Sequence, residues 1–266
     1  MRLFRPLAAP IAALLLASPV AAASCGNTAS GFNTWKAEFA QEAKRAGVGQ
    51  RGLAALANTS YAKSTIAADR NQKSFKYSLD KFMKVRGTNT IIAQGRKRKA
   101  ANANFYAALE RSYGVPAGVL IAIHGMETGF GNFMGDSNVV SAIVTLTYDC
   151  RRSDFFRPHA LGALKLVDRG SISPGTKGAK HGELGHTQFL PGNALKYGVD
   201  GNGDGRVDFY NQADALASTA NYLRSKGWKP GQPYGPGTRN YTVLKEWNAA
   251  TVYQQSLAIM GEQIDR

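Results

Sequence analysis

The chain has 266 residues, 44% of them apolar, and a formal charge of +15. That length and apolar fraction suit one globular domain, or one with a small lobe, and exclude a disordered chain. The charge points to anionic partners: peptidoglycan carboxylates, phosphorylated wall glycans, lipid head groups or nucleic acid.

At the start, Arg2 and Arg5 precede an apolar stretch over 7–20, interrupted by Pro10. Ala21-Ala22-Ala23 then supplies small residues where a signal peptidase reads. Residues 1–23 are therefore expected to be a signal peptide cleaved after Ala23, leaving 24–266 as an exported, periplasmic domain. Taking Arg2 and Arg5 from +15 leaves +13. The stretch is short for a span of about 20 residues. Cys25 and Cys150 are the only cysteines, and an even, small count in an exported chain suggests one disulfide. The other reading is two free thiols, with Cys25 lipidated. Ala22-Ala23-Ser24-Cys25 resembles a lipobox loosely, because Ala22 stands where Leu is usual. A membrane partner is expected only through that lipid. Export and the scatter of the basic residues oppose nucleic acid, and a monomer is expected. The one tight cluster, Arg96-Lys97-Arg98-Lys99, reads as a solvated helix face or a wall-binding patch.

The rest reads as mainly α, with little sheet. Residues 32–46 place Phe32, Trp35, Phe39 and Ala43 at helical spacing, and 50–56 reads as a short helix. The spacing predicts helices over 75–85 and 102–113, and another from Pro116 to about Thr128, with Pro116 in its first turn. Residues 170–192 and 229–238 are rich in Gly and Pro and read as loops. Residues 213–225 and 243–263 are helical, the last one broken in two.

Glu127 follows the apolar run Val119-Leu120-Ile121-Ala122-Ile123-His124-Gly125-Met126. A carboxylate at the end of a buried helix is costly to ionise, and it sits at the negative end of the helix dipole. Both effects favour the protonated form, which a general acid needs. Gly129 and Gly131 would let a substrate chain pass close by. The local features fit a buried, Arg-paired Glu equally well.

The run through Glu127-Thr128-Gly129-Phe130-Gly131 resembles the catalytic signature of the B-type lytic murein transglycosylases. Asp69-Arg70-Asn71-Gln72 with Phe75, Gly114-Val115-Pro116, Thr145-Leu146 through Phe155-Phe156, Gly185-His186-Thr187-Gln188-Phe189-Leu190-Pro191, and Asn221-Tyr222-Leu223 with Gly227-Trp228 are similar to further motifs of that family, in order. The resemblance implies a lysozyme-like helical fold and a single catalytic acid, Glu127. Such an enzyme cleaves the MurNAc–GlcNAc bond. The muramic C6 hydroxyl attacks its own C1, giving 1,6-anhydro ends, and no second carboxylate is required, unlike in ordinary glycosidases. The resemblance also assigns Gln188, Tyr222, Asn248 and Tyr253 to substrate binding.

Three positions depart from the family: His124 where Trp is frequent, Ala179 where a Ser usually orients the acid, and Glu183 in place of a small residue. His124 reads as a packing residue or a contact of the acid. With Ala179 lacking a hydroxyl, His181 or a water is left to hold Glu127. Glu183 would be a second cleft carboxylate. It keeps a hydrolytic muramidase open, and an inactive wall-binding protein is the non-enzyme reading.

Asp200-Gly201-Asn202-Gly203-Asp204-Gly205-Arg206-Val207-Asp208 reads as a calcium loop, with Asp200, Asn202, Asp204, the Arg206 carbonyl and Asp214 as ligands. Asn211 stands at the twelfth position, so the loop is expected to extend over 200–214. Calcium would be structural, and no cofactor is expected for catalysis.

Overall fold

The computed structural model describes residues 23–71 and 74–266. Gln72 and all of the expected signal peptide except Ala23 lie outside them.

The helices are α1 (Phe32–Arg45), α2 (Gln50–Ala57), α3 (Lys63–Arg70), α4 (Leu79–Val85), α5 (Thr88–Ala101), α6 (Ala103–Tyr113), α7 (Ala117–Thr128), α8 (Val139–Tyr148), α9 (Ser153–Arg169), α10 (Pro191–Tyr197), α11 (Gln212–Ser225), α12 (Arg239–Trp247) and α13 (Thr251–Asp265). The sheet among the described residues is one antiparallel pair, β1 (Ser137–Asn138) with β2 (Lys177–Gly178). The architecture is lysozyme-like and almost wholly helical.

α7 is apolar on every face, and a helix of that kind belongs in the centre of a core. Val119, Leu120, Ile121, Ala122 and Ile123 are fully buried. α13 and α5 enclose α7 at contacts made close by glycine. A Cβ on Gly118 would lie 2.2 Å from the Gly261 carbonyl oxygen, and one on Gly95 would lie 2.8 Å from both Ile121 and Ile264. α8, α9, α10 and α2 form a second packed group.

Two predicted boundaries shift for local reasons. Residues 75–85 do not form one helix. A 3-10 turn covers Ser74–Lys76, and Ser78, in extended conformation, caps α4 by accepting the Lys81 N–H at 3.5 Å. Pro116 precedes the first helical residue of α7, as its extended N-cap. Arg96–Lys99 lies on α5 but is not a free patch. Arg96 Nε donates to the Gln263 carbonyl at 2.8 Å, Lys99 pairs with Asp265 at 3.0 Å, and Arg98 lies over the Phe130 ring.

Cys25 and Cys150 form a disulfide, and no cysteine is free among the described residues. It joins the start of the domain to the end of α8, where Gly26 N–H donates to the Tyr148 carbonyl at 2.9 Å.

Candidate active site

α7 ends where Gly129 takes a left-handed conformation (φ 57°). Glu127, in its last turn, is the one residue of that helix that is not fully enclosed. It opens on a cleft of about 600 Å³. Gln188, Tyr222, Asn248 and Tyr253 all line this cleft, so the fold gathers every predicted substrate residue around the predicted acid.

Tyr253 is the exception in kind. It is buried, and its hydroxyl donates to Glu127 Oε1. Trp247 Nε1 donates to the same oxygen at 3.2 Å. The sequence reading gave Tyr253 to the substrate; the structure gives its hydroxyl to the acid. Trp247 is the second holder. With Ala179 lacking a hydroxyl, α12 and α13 supply the donors found on Glu127. Tyr253 keeps its proton, because burial and the adjacent Glu127 push its pKa well above the tyrosine range.

Burial raises the Glu127 pKa against the opposing pull of the Tyr253 and Trp247 hydrogen bonds and the Arg86 charge. Arg86 Nη2 donates to the Met126 carbonyl at 2.8 Å, so that guanidinium serves the helix end beside the acid. Both donors fall on one carboxyl oxygen. The other oxygen, Oε2, is left free of those two donors.

Glu183 lines the same cleft. Its Oε2 accepts the His181 N–H at 3.2 Å, and His181 Nδ1 lies 3.6 Å from Oε1. Burial, with the Glu127 charge adding to it, pushes the Glu183 pKa up to about 7. His181 Nε2 is 3.7 Å from Asp69, which also pairs with Arg151 and Arg152. This network forms one wall of the cleft through Arg152, His181 and Glu183.

Gln188 sits at φ 56°, a left-handed conformation uncommon outside glycine. Its Nε2 donates to the Gly185 carbonyl at 2.7 Å and the Met134 carbonyl at 3.4 Å, leaving Oε1 as the acceptor it offers the cleft. Tyr222 is buried and its hydroxyl donates to the Glu246 carbonyl at 2.6 Å, so it lines the cleft as a ring. The ring stands edge-on to Phe189 and Trp247. Asn248 Oδ1 accepts the Ala250 N–H at 3.0 Å, which leaves the side-chain NH₂ as its donor.

Of the two readings of His124, the structure shows packing. It is fully buried, with Nε2 2.9 Å from His186 Nδ1. His186 Nε2 lies 3.1 Å from the Tyr210 carbonyl and must donate to it. His186 Nδ1 is then an acceptor, and His124 donates through Nε2. Burial lowers the His124 pKa to about 3, so it stays neutral. Gly131 makes room for this pair rather than for substrate: a Cβ there would meet the His186 ring at 2.5 Å.

None of the residues 200–214 lines the cleft. Asp200 accepts the N–H groups of Gly203, Asp204 and Gly205, and Asp204 accepts that of Arg206. Asp214 is fully buried and accepts the N–H groups of Gly201, Asn202 and Asp208. Asp214 therefore holds the loop's backbone from within. Asn211 caps α11 through Oδ1, which accepts the Ala213 N–H at 2.8 Å. Among the described residues no three acidic, His or Cys side chains converge as a metal cluster. The donors at the loop's own positions are all oxygens, and that chemistry fits a hard cation.

Residues 31–239 match the transglycosylase SLT domain, and the chain belongs to that family. It is similar to membrane-bound lytic murein transglycosylase B of Escherichia coli K12, 34% identical over 121 residues. That match spans 45% of this chain and about a third (34%) of the relative. Among solved structures, SltB3 from Pseudomonas aeruginosa in complex with NAG-anhNAM-pentapeptide is 26% identical with a TM-score of 0.78, covering 88% of this chain and 79% of that one. Escherichia coli Slt35 in complex with calcium shares the fold, with 20% identity and a TM-score of 0.74 over 91% of this chain and 96% of that one.

Proposed function

We propose that this chain is a peptidoglycan lytic transglycosylase that leaves 1,6-anhydromuramic ends, with Glu127 as sole acid and base. The observation that carries the reading is Glu127 itself. Burial raises its pKa toward the protonated form, it opens on a cleft, and two donors hold it by one oxygen. The free oxygen gives its proton to the glycosidic oxygen as the bond to muramic C1 breaks. The C6 hydroxyl then attacks C1, and its proton passes to the Glu127 carboxylate, which restores the acid. Tyr253 and Trp247 fix the carboxyl through both steps. The Gln188 carbonyl and the Asn248 amide are suited to sugar hydroxyls and acetamido groups, and Tyr222 shapes the apolar floor. Family membership and the likeness to SltB3, whose structure holds a peptidoglycan fragment, support a glycan substrate. The protein acts in the periplasm.

A calcium ion is proposed on the 200–208 loop, held by Asp200, Asn202, Asp204, Asp208 and the Arg206 carbonyl. Asp214 braces the loop behind them. The ion stabilises the fold and takes no part in the chemistry.

Glu183 favours a second reading, hydrolysis, in which its carboxylate activates a water against C1. Mass spectrometry of peptidoglycan digested by the wild type separates the two. Anhydro ends are expected. Reducing ends that disappear in Glu183→Gln would establish the muramidase instead, and an absence of any product would leave only wall binding.

A further inference from the structure

A second cavity, of about 720 Å³, shares no lining residue with the cleft around Glu127. It runs between α2, the last residue of α9 with the segment that follows it to residue 176, and residues 205–210. Each of these contributes an arginine: Arg51, Arg169 and Arg206. Asp208 is the one carboxylate in the lining, and its Oδ1 accepts the Tyr210 N–H at 2.9 Å.

These arginines differ from four others that are held by carboxylates. Arg70 pairs with Asp149, Arg151 and Arg152 with Asp69, and Arg157 with Glu42. Among the described residues, no ion pair involves Arg51, Arg169 or Arg206. Arg51 Nη1 reaches only a backbone oxygen, that of Asp168, at 3.5 Å. Three guanidiniums against one carboxylate in a concavity focus a positive potential. The guanidinium fork suits planar oxyanions.

The banks are braced independently of any ligand. Ser173 N–H donates to Thr176 Oγ1 at 2.9 Å, and Asn138 Nδ2 donates to the Pro174 carbonyl at 2.8 Å. The Tyr210 hydroxyl donates to the Lys177 carbonyl, joining the bank carrying Arg206 to β2. Ser171 and Ser173 add hydroxyls to the lining.

We propose that this groove is a second wall-binding site that takes the carboxylates of peptidoglycan stem peptides. The proposal rests on the reading of the cleft as a peptidoglycan site, because the same polymer carries both the sugar bond and the carboxylates. A stem from a neighbouring strand held here would keep the enzyme on the wall while the cleft turns over.

The test uses the full mature chain with Glu127→Gln, which binds without cutting, sedimented with insoluble peptidoglycan at low salt. Adding Arg51→Gln, Arg169→Gln and Arg206→Gln should weaken binding about tenfold, the sum expected for three exposed pairs. Lys44→Gln, Lys63→Gln and Lys97→Gln remove the same charge elsewhere and should change it far less. In titrations, a sugar-free stem pentapeptide should bind the parent and not the arginine triple, with melting temperatures unchanged. Equal loss in both triples would overturn the site in favour of diffuse charge. Binding of inorganic phosphate in preference to the peptide would overturn the carboxylate assignment. The arginine triple with Glu127 intact should still cleave short soluble glycans. If the wild type cleaves none, the cleft reading fails while sedimentation still decides the groove.

Discussion

Tyr253 and Trp247 place two donors on one oxygen of Glu127, and each donor pulls the carboxyl toward its ionised form. Tyr253→Phe removes one of them while keeping the ring. The rate should fall about ten- to a hundredfold, the range for a hydrogen bond to a charged group. The alkaline limb of the pH–rate profile should move to higher pH, because the carboxyl loses a group that stabilised its charge. A lower rate with an unmoved limb would assign Tyr253 to packing alone. Glu183 gives a pH prediction of its own. Its pKa, raised from 4.5 to about 7, means the folded protein binds more protons than the unfolded chain in that window. Stability should therefore fall as pH rises from about 4.5 to about 7. In Glu183→Gln that part of the slope should vanish, with a higher melting temperature at neutral pH. Parallel profiles for the two proteins would contradict it.

Among the elements, the 200–214 loop separates two roles that its composition runs together. Asp214, buried and accepting three backbone N–H groups, should be needed with or without metal. Asp214→Ala should lower stability by about 3 kcal/mol or more, since buried donors lose their acceptor. Asp200→Ala with Asp204→Ala should change stability little in chelator but abolish the rise in melting temperature that calcium gives the wild type. A wild type whose melting temperature ignores calcium would end the metal assignment. What the sequence showed of these elements follows from physics. α1, α2, α6 and α11 were legible because their apolar faces repeat at helical spacing, and α7 because Gly114-Val115-Pro116 marks its start. α8 was not: its Val, Ile and Thr residues are buried on every face, so no amphipathic period marks it, and its β-branched run favours strand on local grounds. The acid was legible from its motif. Its holders were not, because Trp247 and Tyr253 reach Glu127 from across 120 and 126 residues, and no local pattern encodes that meeting.

At the scale of the whole molecule, the Cys25–Cys150 disulfide closes a sequence separation of 125 residues. The loop-entropy account allows it roughly 5 kcal/mol at most. Reduction, or Cys25→Ala with Cys150→Ala, should lower the melting temperature markedly and leave residual activity at low temperature, because neither sulfur touches the cleft. Two titratable thiols in the denatured mature protein would contradict the bond. The folded chain brings α7, α12 and α13 together so that one carboxyl, its pKa raised by burial, faces a cleft of about 600 Å³. The central claim is that this carboxyl alone performs the chemistry. Glu127→Gln keeps the size and a hydrogen-bonding amide but can neither donate nor accept the proton. The decisive measurement is the release of anhydro-ended muropeptides by Glu127→Gln beside the wild type, with sedimentation on insoluble peptidoglycan as the control for folding and binding. The account predicts a loss of about a hundred- to ten-thousandfold or more with sedimentation retained. A folded Glu127→Gln protein that releases these products at the wild-type rate would contradict it.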